Sequence, residues 1–292
     1  MSETKELLRK FFGQMKIRDT ATVSPEDTED CLFLVSYATN TGYFRMSNED
    51  SFFVDGKCTH RFGESEQDCY AEHTEGTHVF GLFDGMGGED HGEIAAELTA
   101  KALGGAFKKL KAAQPSELDE LINEVCRNAN KAVCDMIKER GAKAGGATFT
   151  AVCVCGETAY AYWLGDSRIY LYDGSVLTQL TSDHTVAAAR LAAGETVTSR
   201  DHHALTHFIG MDRLGGGTSA FACEPKTFGS GCTLLMCSDG LTDMLTDREI
   251  AEVLSERLAD PASELVYRAL DSGGRDNVTC IVISRPAAPI EQ

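Results

Sequence analysis

Positive charge is scarce in this chain: its 292 residues carry 27 Lys and Arg against 45 Asp and Glu, a formal net charge of −18. That balance argues against non-specific nucleic-acid binding, which draws its affinity from cations at phosphates. Long apolar runs are missing as well. No stretch approaches the roughly 20 residues of a membrane span, and Met1 to Lys10 has no apolar signal core, so a cytoplasmic protein is expected. The eleven cysteines contain no Cys-x-x-Cys knuckle, and an odd count without a secretion signal speaks against a disulfide framework. Cys153, Cys155, Cys237 and Cys280 fall inside apolar strand patterns, where they suit small core positions. Cys58, His60, Cys69 and His73 offer zinc-binding atoms, but their irregular spacing disfavours a zinc site. No internal repeat or low-complexity linker divides the chain.

What the chain does have is carboxylates at the ends of apolar strands. Val79 to Phe83 is a buried-strand pattern that ends in Asp84-Gly85-Met86-Gly87-Gly88 and leads into a helix. Glu49-Asp50 follows Tyr43-Phe44-Arg45, Asp239-Gly240 follows Leu234 to Cys237, and Asp276-Asn277 precedes Val278 to Ile283. An isolated Asp-Gly is usually a turn or a helix cap. Four such acidic sites in one chain read as a cluster for hard divalent cations, which prefer carboxylate oxygen.

The rest of the chain supplies a scaffold. Residues 1–30 are polar, with a short helical pattern at Leu7, Leu8, Phe11 and Phe12, and are expected to form an arm on the domain edge or to be disordered. Cys31 to Ala38 and Arg45 to Val54 read as strands, and Gly56 to Gly76 as a surface loop or small hairpin. Glu93 to Lys111 is a helix with Ile94, Leu98, Ala102, Ala106 and Leu110 on its buried face. A partner helix opens at Ser116 by a capping box to Asp119 and runs to Gly141. Strands follow at 148–155, 158–164, 168–172 and 175–180, joined by short hairpin turns. Thr185 to Ala193 is helical and begins a His-bearing excursion above the sheet. Cys232 to Cys237 is a strand, Thr246 with Glu249 caps a helix through Leu258, and Pro261 starts another. The simplest packing is α+β: a single domain in a four-layer sandwich, two antiparallel β-sheets flanked by pairs of α-helices, spanning residues 31–285, with 286–292 as a tail.

The order of segments then resembles a known family. Arg45-x-x-x-Glu49-Asp50, Asp84-Gly85-Met86-Gly87-Gly88 with Gly92-Glu93, Gly146-Ala147-Thr148, Gly165-Asp166-Ser167-Arg168, Ser182-Asp183-His184, Ser238-Asp239-Gly240-Leu241 and Arg275-Asp276-Asn277-Val278-Thr279 are similar to the successive motifs of metal-dependent serine/threonine protein phosphatases of type 2C. The Gly-Met-Gly-Gly form looks like the bacterial branch. The resemblance implies hydrolysis of phosphoserine and phosphothreonine in proteins by a water activated at two Mn2+ or Mg2+ ions, with a possible third. It implies Asp84, the Gly85 carbonyl, Asp239 and Asp276 as ligands, Glu49 and Asp50 at or just outside them, Asp166 for a third ion, and Arg45 on the phosphate. Residues 184–217 take the place of the family's variable flap. The implied partners are phosphoproteins, the targets of a serine/threonine kinase.

Met86 stands where animal members carry a histidine proposed to protonate the leaving oxygen. A metal-bound water, His60, His91 or His184 would have to act instead. Two rival functions share parts of this pattern: a pseudophosphatase that binds phosphoproteins without turnover, and a metal-dependent nuclease, which the acidic charge disfavours.

Overall fold

The computed structural model describes residues 32–58, 66–73, 76–87, 91–142, 145–211 and 218–286. The proposed N-terminal arm, the tail beyond 286, Gly215 to Gly217 and His60 lie outside the described residues.

Two antiparallel sheets face each other. One has the order β11 (Leu177–Gln179), β10 (Arg168–Tyr172), β14 (Thr233–Cys237), β15 (Val278–Ser284), β1 (Leu32–Asn40) and β4 (Glu66–His73). The other runs β12 (Phe221–Ala222), β9 (Thr158–Leu164), β8 (Phe149–Cys155), β5 (Thr77–Phe83), β2 (Ser51–Val54) and β3 (Lys57–Cys58), with β13 (Lys226–Thr227) also on β9. A short pair, β6 (Gly85–Met86) and β7 (Gly146–Ala147), extends β5 and β8 towards one end of the sandwich.

Strand alternation builds three cores. On β5, Phe80 and Leu82 point between the sheets, while Val79 and Phe83 point outward under the helices, so the whole strand is buried. The middle layer is filled by Phe33, Val35, Tyr37, Phe52, Leu234, Met236, Ile281 and Ile283. Outside the second sheet lie α1 (Gly92–Ala112) and α2 (Leu118–Arg140). Outside the first lie α6 (Asp247–Ser255) and α7 (Pro261–Asp271). Between them come α3 (Val186–Ala192), α4 (Ser199–His202) and α5 (Asp239–Thr242). The four-layer α+β arrangement is as the sequence implied. Cys153, Cys237 and Cys280 are fully buried core residues.

Four expectations need correction. The most buried stripe of α1 is Ala95, Ala96, Thr99, Ala100, Leu103 and Leu110, so of the expected face Leu110 is fully buried while Ile94, Leu98, Ala102 and Ala106 only flank it. Small residues on that stripe let α1 approach the sheet at Gly81, where a Cβ would come within 2.6 Å of Leu103. The capping box before α2 is Gln114 with Glu117, whose carboxylate accepts from the Gln114 N–H at 2.7 Å, and not Ser116 with Asp119. Asp119 instead accepts a hydrogen bond from Tyr162 at 2.8 Å. Of Arg45 to Val54 only Ser51–Val54 is strand, because side chains of Asn48 and Asn277 take the backbone bonds of the preceding loop. Within Gly56 to Gly76, expected as a surface loop or small hairpin, Glu66–His73 is an eight-residue strand of the main sheet, paired to β1 in register Leu34 with Ala71.

Candidate metal centre

The centre forms where strands of both sheets end together. Asp84 leaves β5 and its N–H donates to Thr148 Oγ1 at 2.8 Å, which in turn pairs with Ser167 Oγ at 2.8 Å. Two of the sequence motifs, Gly146-Ala147-Thr148 and Gly165 to Arg168, thus orient the Asp84 turn. Gly85 has room for no side chain, since a Cβ there would collide with the backbone carbonyls of Gly92 and Glu49. Asp239 starts α5 directly after β14, and Asp276 precedes β15.

Arg45, Glu49, Asp84, Gly85, Asp166, Asp239 and Asp276 line one cavity of about 180 Å3, together with Met86, Thr148 and His203. Arg45 Nη2 donates to Asp276 Oδ2 at 2.6 Å. Asp50 lies behind the cavity wall, where its Oδ2 accepts from Ser238 Oγ at 3.0 Å and Thr279 Oγ1 at 2.5 Å. Its other oxygen, Oδ1, is buried with no partner. Asn277 fastens the loop that bears Arg45 and Glu49: its Oδ1 accepts from the Glu49 N–H at 2.8 Å, and its Nδ2 donates to the carbonyls of Thr41 at 2.8 Å and Ser47 at 3.0 Å.

Crowding of the acids leaves an electrostatic mark. Burial, reinforced by the charges of Asp50, Asp239, Asp166 and Asp276, holds the Asp84 carboxyl well above the usual carboxylate range. Burial pushes Asp50 up to about 7, with its two hydroxyl donors opposing and Asp239 adding to the rise. Asp166 rises to about 8 through burial and the charge of Asp239, and Asp239 to about 6 through burial and Asp276. So much unneutralised carboxylate, all-oxygen donors and an orphaned Asp50 oxygen fit a site for hard divalent cations. Of the acidic residues singled out in the sequence, Glu49, Asp84, Asp166, Asp239 and Asp276 line the cavity and Asp50 does not.

The histidines separate cleanly. His184 is a scaffold residue: its Nδ1 accepts from the Gly165 N–H at 3.2 Å, its ring stacks on Trp163, and burial with the neighbouring His207 lowers its pKa to about 4. His91 sits at the start of α1 in a left-handed conformation, near Glu93, and does not line the cavity. His203, which the sequence did not single out, does line it and brings a ring nitrogen within 4.8 Å of carboxylate oxygens of Asp239 and Asp243. It stands in the excursion between α4 and Leu205, a segment without periodic signal. The excursion is pinned at both ends, by Thr206 N–H to the His184 carbonyl at 2.7 Å and by Gly210 N–H to Asn130 Oδ1 at 2.7 Å. Arg168 grips Asp183 at its root with two hydrogen bonds of 2.9 and 2.7 Å.

Residues 56–272 match the family model for protein phosphatase 2C. The chain belongs to the protein phosphatase 2C family. It is 30% identical over 214 residues to the serine/threonine phosphatase stp of Listeria monocytogenes, covering 69% of this chain and 82% of that one. The fold matches the serine/threonine phosphatase of S. agalactiae with a TM-score of 0.72 at 26% identity, over 87% of this chain and 99% of the other. It matches the catalytic domain of the serine/threonine phosphatase PstP, solved in complex with 2 manganese ions, with a TM-score of 0.67 at 27% identity, over 87% of this chain and 99% of that domain. PstP is a Mycobacterium tuberculosis protein. Within this 2C family the chain is of the bacterial type. Among its described residues no helix is long and apolar enough to cross a membrane.

Proposed function

We infer that this chain is a metal-dependent serine/threonine protein phosphatase that hydrolyses phosphoserine and phosphothreonine esters. One observation carries this: carboxylates from five separate segments line a single cavity with Arg45, in a chain of the 2C family. Asp84, the Gly85 carbonyl, Asp239 and Asp276 would hold two divalent ions, with Glu49 and Asp50 beside and behind them. Asp166 with Asp239 would hold a third. Mn2+, the ion of the PstP domain, is the first candidate and Mg2+ the second. Bound divalent ions supply charge that neutralises phosphoryl oxygens and lowers the pKa of water.

The protein's own groups do the positioning. Arg45 presents a forked guanidinium to the phosphate, and Asp276 keeps it aimed across the cavity. Thr148 and Asn277 hold the two turns that carry Asp84 and Glu49, so the acids need no rearrangement when the ester arrives. Met86 has no proton to give the departing serine or threonine oxygen; His203 is the cavity-lining imidazole. Its substrates are the products of a serine/threonine kinase, met in the cytoplasm.

The test is Mn2+-dependent turnover of an aryl phosphate and of a phosphothreonine peptide. Asp239→Asn is expected to lower both by more than about 100-fold while keeping the melting profile of the metal-free protein. Turnover that persists in the variant, or in excess chelator, would refute the assignment.

A further inference from the structure

A phosphoserine in a protein brings its polypeptide with it, and the 180 Å3 cavity has space for the phosphoryl group but not for the flanking chain. A second depression of about 550 Å3 opens directly beside it. The two share Arg45, His203 and Asp276, so they adjoin along these side chains. One bank is α4 of the excursion, through Ser199 and His202; the other is Met244 and Arg275.

The charges along this groove are uneven. The carboxylate of Asp276 is already engaged, by Arg45 through Oδ2 and by the Asn277 N–H through Oδ1 at 2.8 Å. Asp243 directs an oxygen to within 4.8 Å of His203 and Asp239, towards the metal centre. Arg275 is exposed and makes no hydrogen bond or ion pair among the described residues. Of the two guanidiniums that line the groove, Arg45 is paired with Asp276 and Arg275, among the described residues, is not.

We propose that this groove is the subsite for the substrate's polypeptide next to the phosphorylated residue, and that Arg275 selects substrates carrying Asp or Glu there. Met244 supplies apolar surface for the chain beside that contact. The proposal rests on the phosphatase reading, because the groove is placed by its continuity with that cavity.

The test uses the Mn2+-loaded protein and two phosphothreonine peptides that differ only in flanking residues, all Glu or all Lys. Both kcat/KM and equilibrium binding are measured, and turnover is normalised to each variant's own rate on an aryl phosphate. The native protein is expected to favour the Glu peptide. Arg275→Glu should shift the Glu-to-Lys ratio by roughly fivefold towards Lys, and Arg275→Lys should restore it. An unchanged ratio in Arg275→Glu, with both peptides still hydrolysed, overturns the subsite and leaves the phosphatase reading intact. Charge-selective binding without hydrolysis upholds the subsite and overturns that reading.

Discussion

Asp50 shows how a residue that never faces the cavity can govern it. Its Oδ2 is held by Ser238 and Thr279, and Thr279 is itself paired with Thr39 at 2.7 Å, so the orphaned Oδ1 is aimed by a relay of hydroxyls. Groups that orient ligands through hydrogen bonds commonly set metal affinity. The double variant Ser238→Ala with Thr279→Val is expected to weaken Mn2+ binding by roughly 10- to 100-fold, measured by titration calorimetry. An unchanged affinity would show that Asp50 is positioned by packing alone. The acids are legible in the sequence because each stands before or after an apolar strand, next to a glycine or asparagine motif. His203 is not, since nothing in Ser199 to Leu205 has a period, and only the fold of the excursion carries it to the cavity.

At the scale of elements, helix α6 is tied at its start by a reciprocal pair. The Thr246 N–H donates to Glu249 Oε2 at 2.8 Å and Glu249 N–H donates to Thr246 Oγ1 at 3.4 Å. Replacing Thr246 by Ala should cost about 1 kcal/mol in urea unfolding, with the aryl phosphatase rate retained. That cap was readable from spacing, as were α2 and the hairpin strands, because local chemistry alone determines them. Strand β4 was not. Glu66 to His73 reads Glu-Gln-Asp-Cys-Tyr-Ala-Glu-His, which lacks apolar alternation, and an edge strand can be recruited by backbone pairing to one neighbour. The capping box before α2 slipped for a related reason: Gln114-Pro115-Ser116-Glu117-Leu118-Asp119 contains two registers of the same signal, and the short turn of 3-10 helix at Pro115 selects the earlier one.

Across the whole molecule the clustered acids make stability depend on pH and metal together. Asp50 and Asp166 have folded pKa values raised to about 7 and about 8, above the unfolded carboxylate value. The metal-free folded state therefore holds protons that the unfolded chain has released, and its stability falls as pH rises through those values. His184, lowered to about 4 from 6.5, acts in the opposite sense, but only below pH 6.5. Between about pH 6.5 and 8.5 the carboxylates act unopposed, so the melting temperature in chelator should drop across that window while the increment from Mn2+ grows. Differential scanning fluorimetry at matched ionic strength reads both; a flat chelator profile would mean that the acids are not crowded in solution. Asn277 carries a different consequence. One amide just before the last strand holds Thr41, Ser47 and Glu49, 228 to 236 positions earlier. During translation the arginine-bearing loop must wait, unfastened, until Asn277 itself has left the ribosome. A prematurely terminated product lacking Asn277 would lack strand β15 as well, so nothing would fasten the loop that bears Arg45 and Glu49, and no phosphatase activity is expected of it.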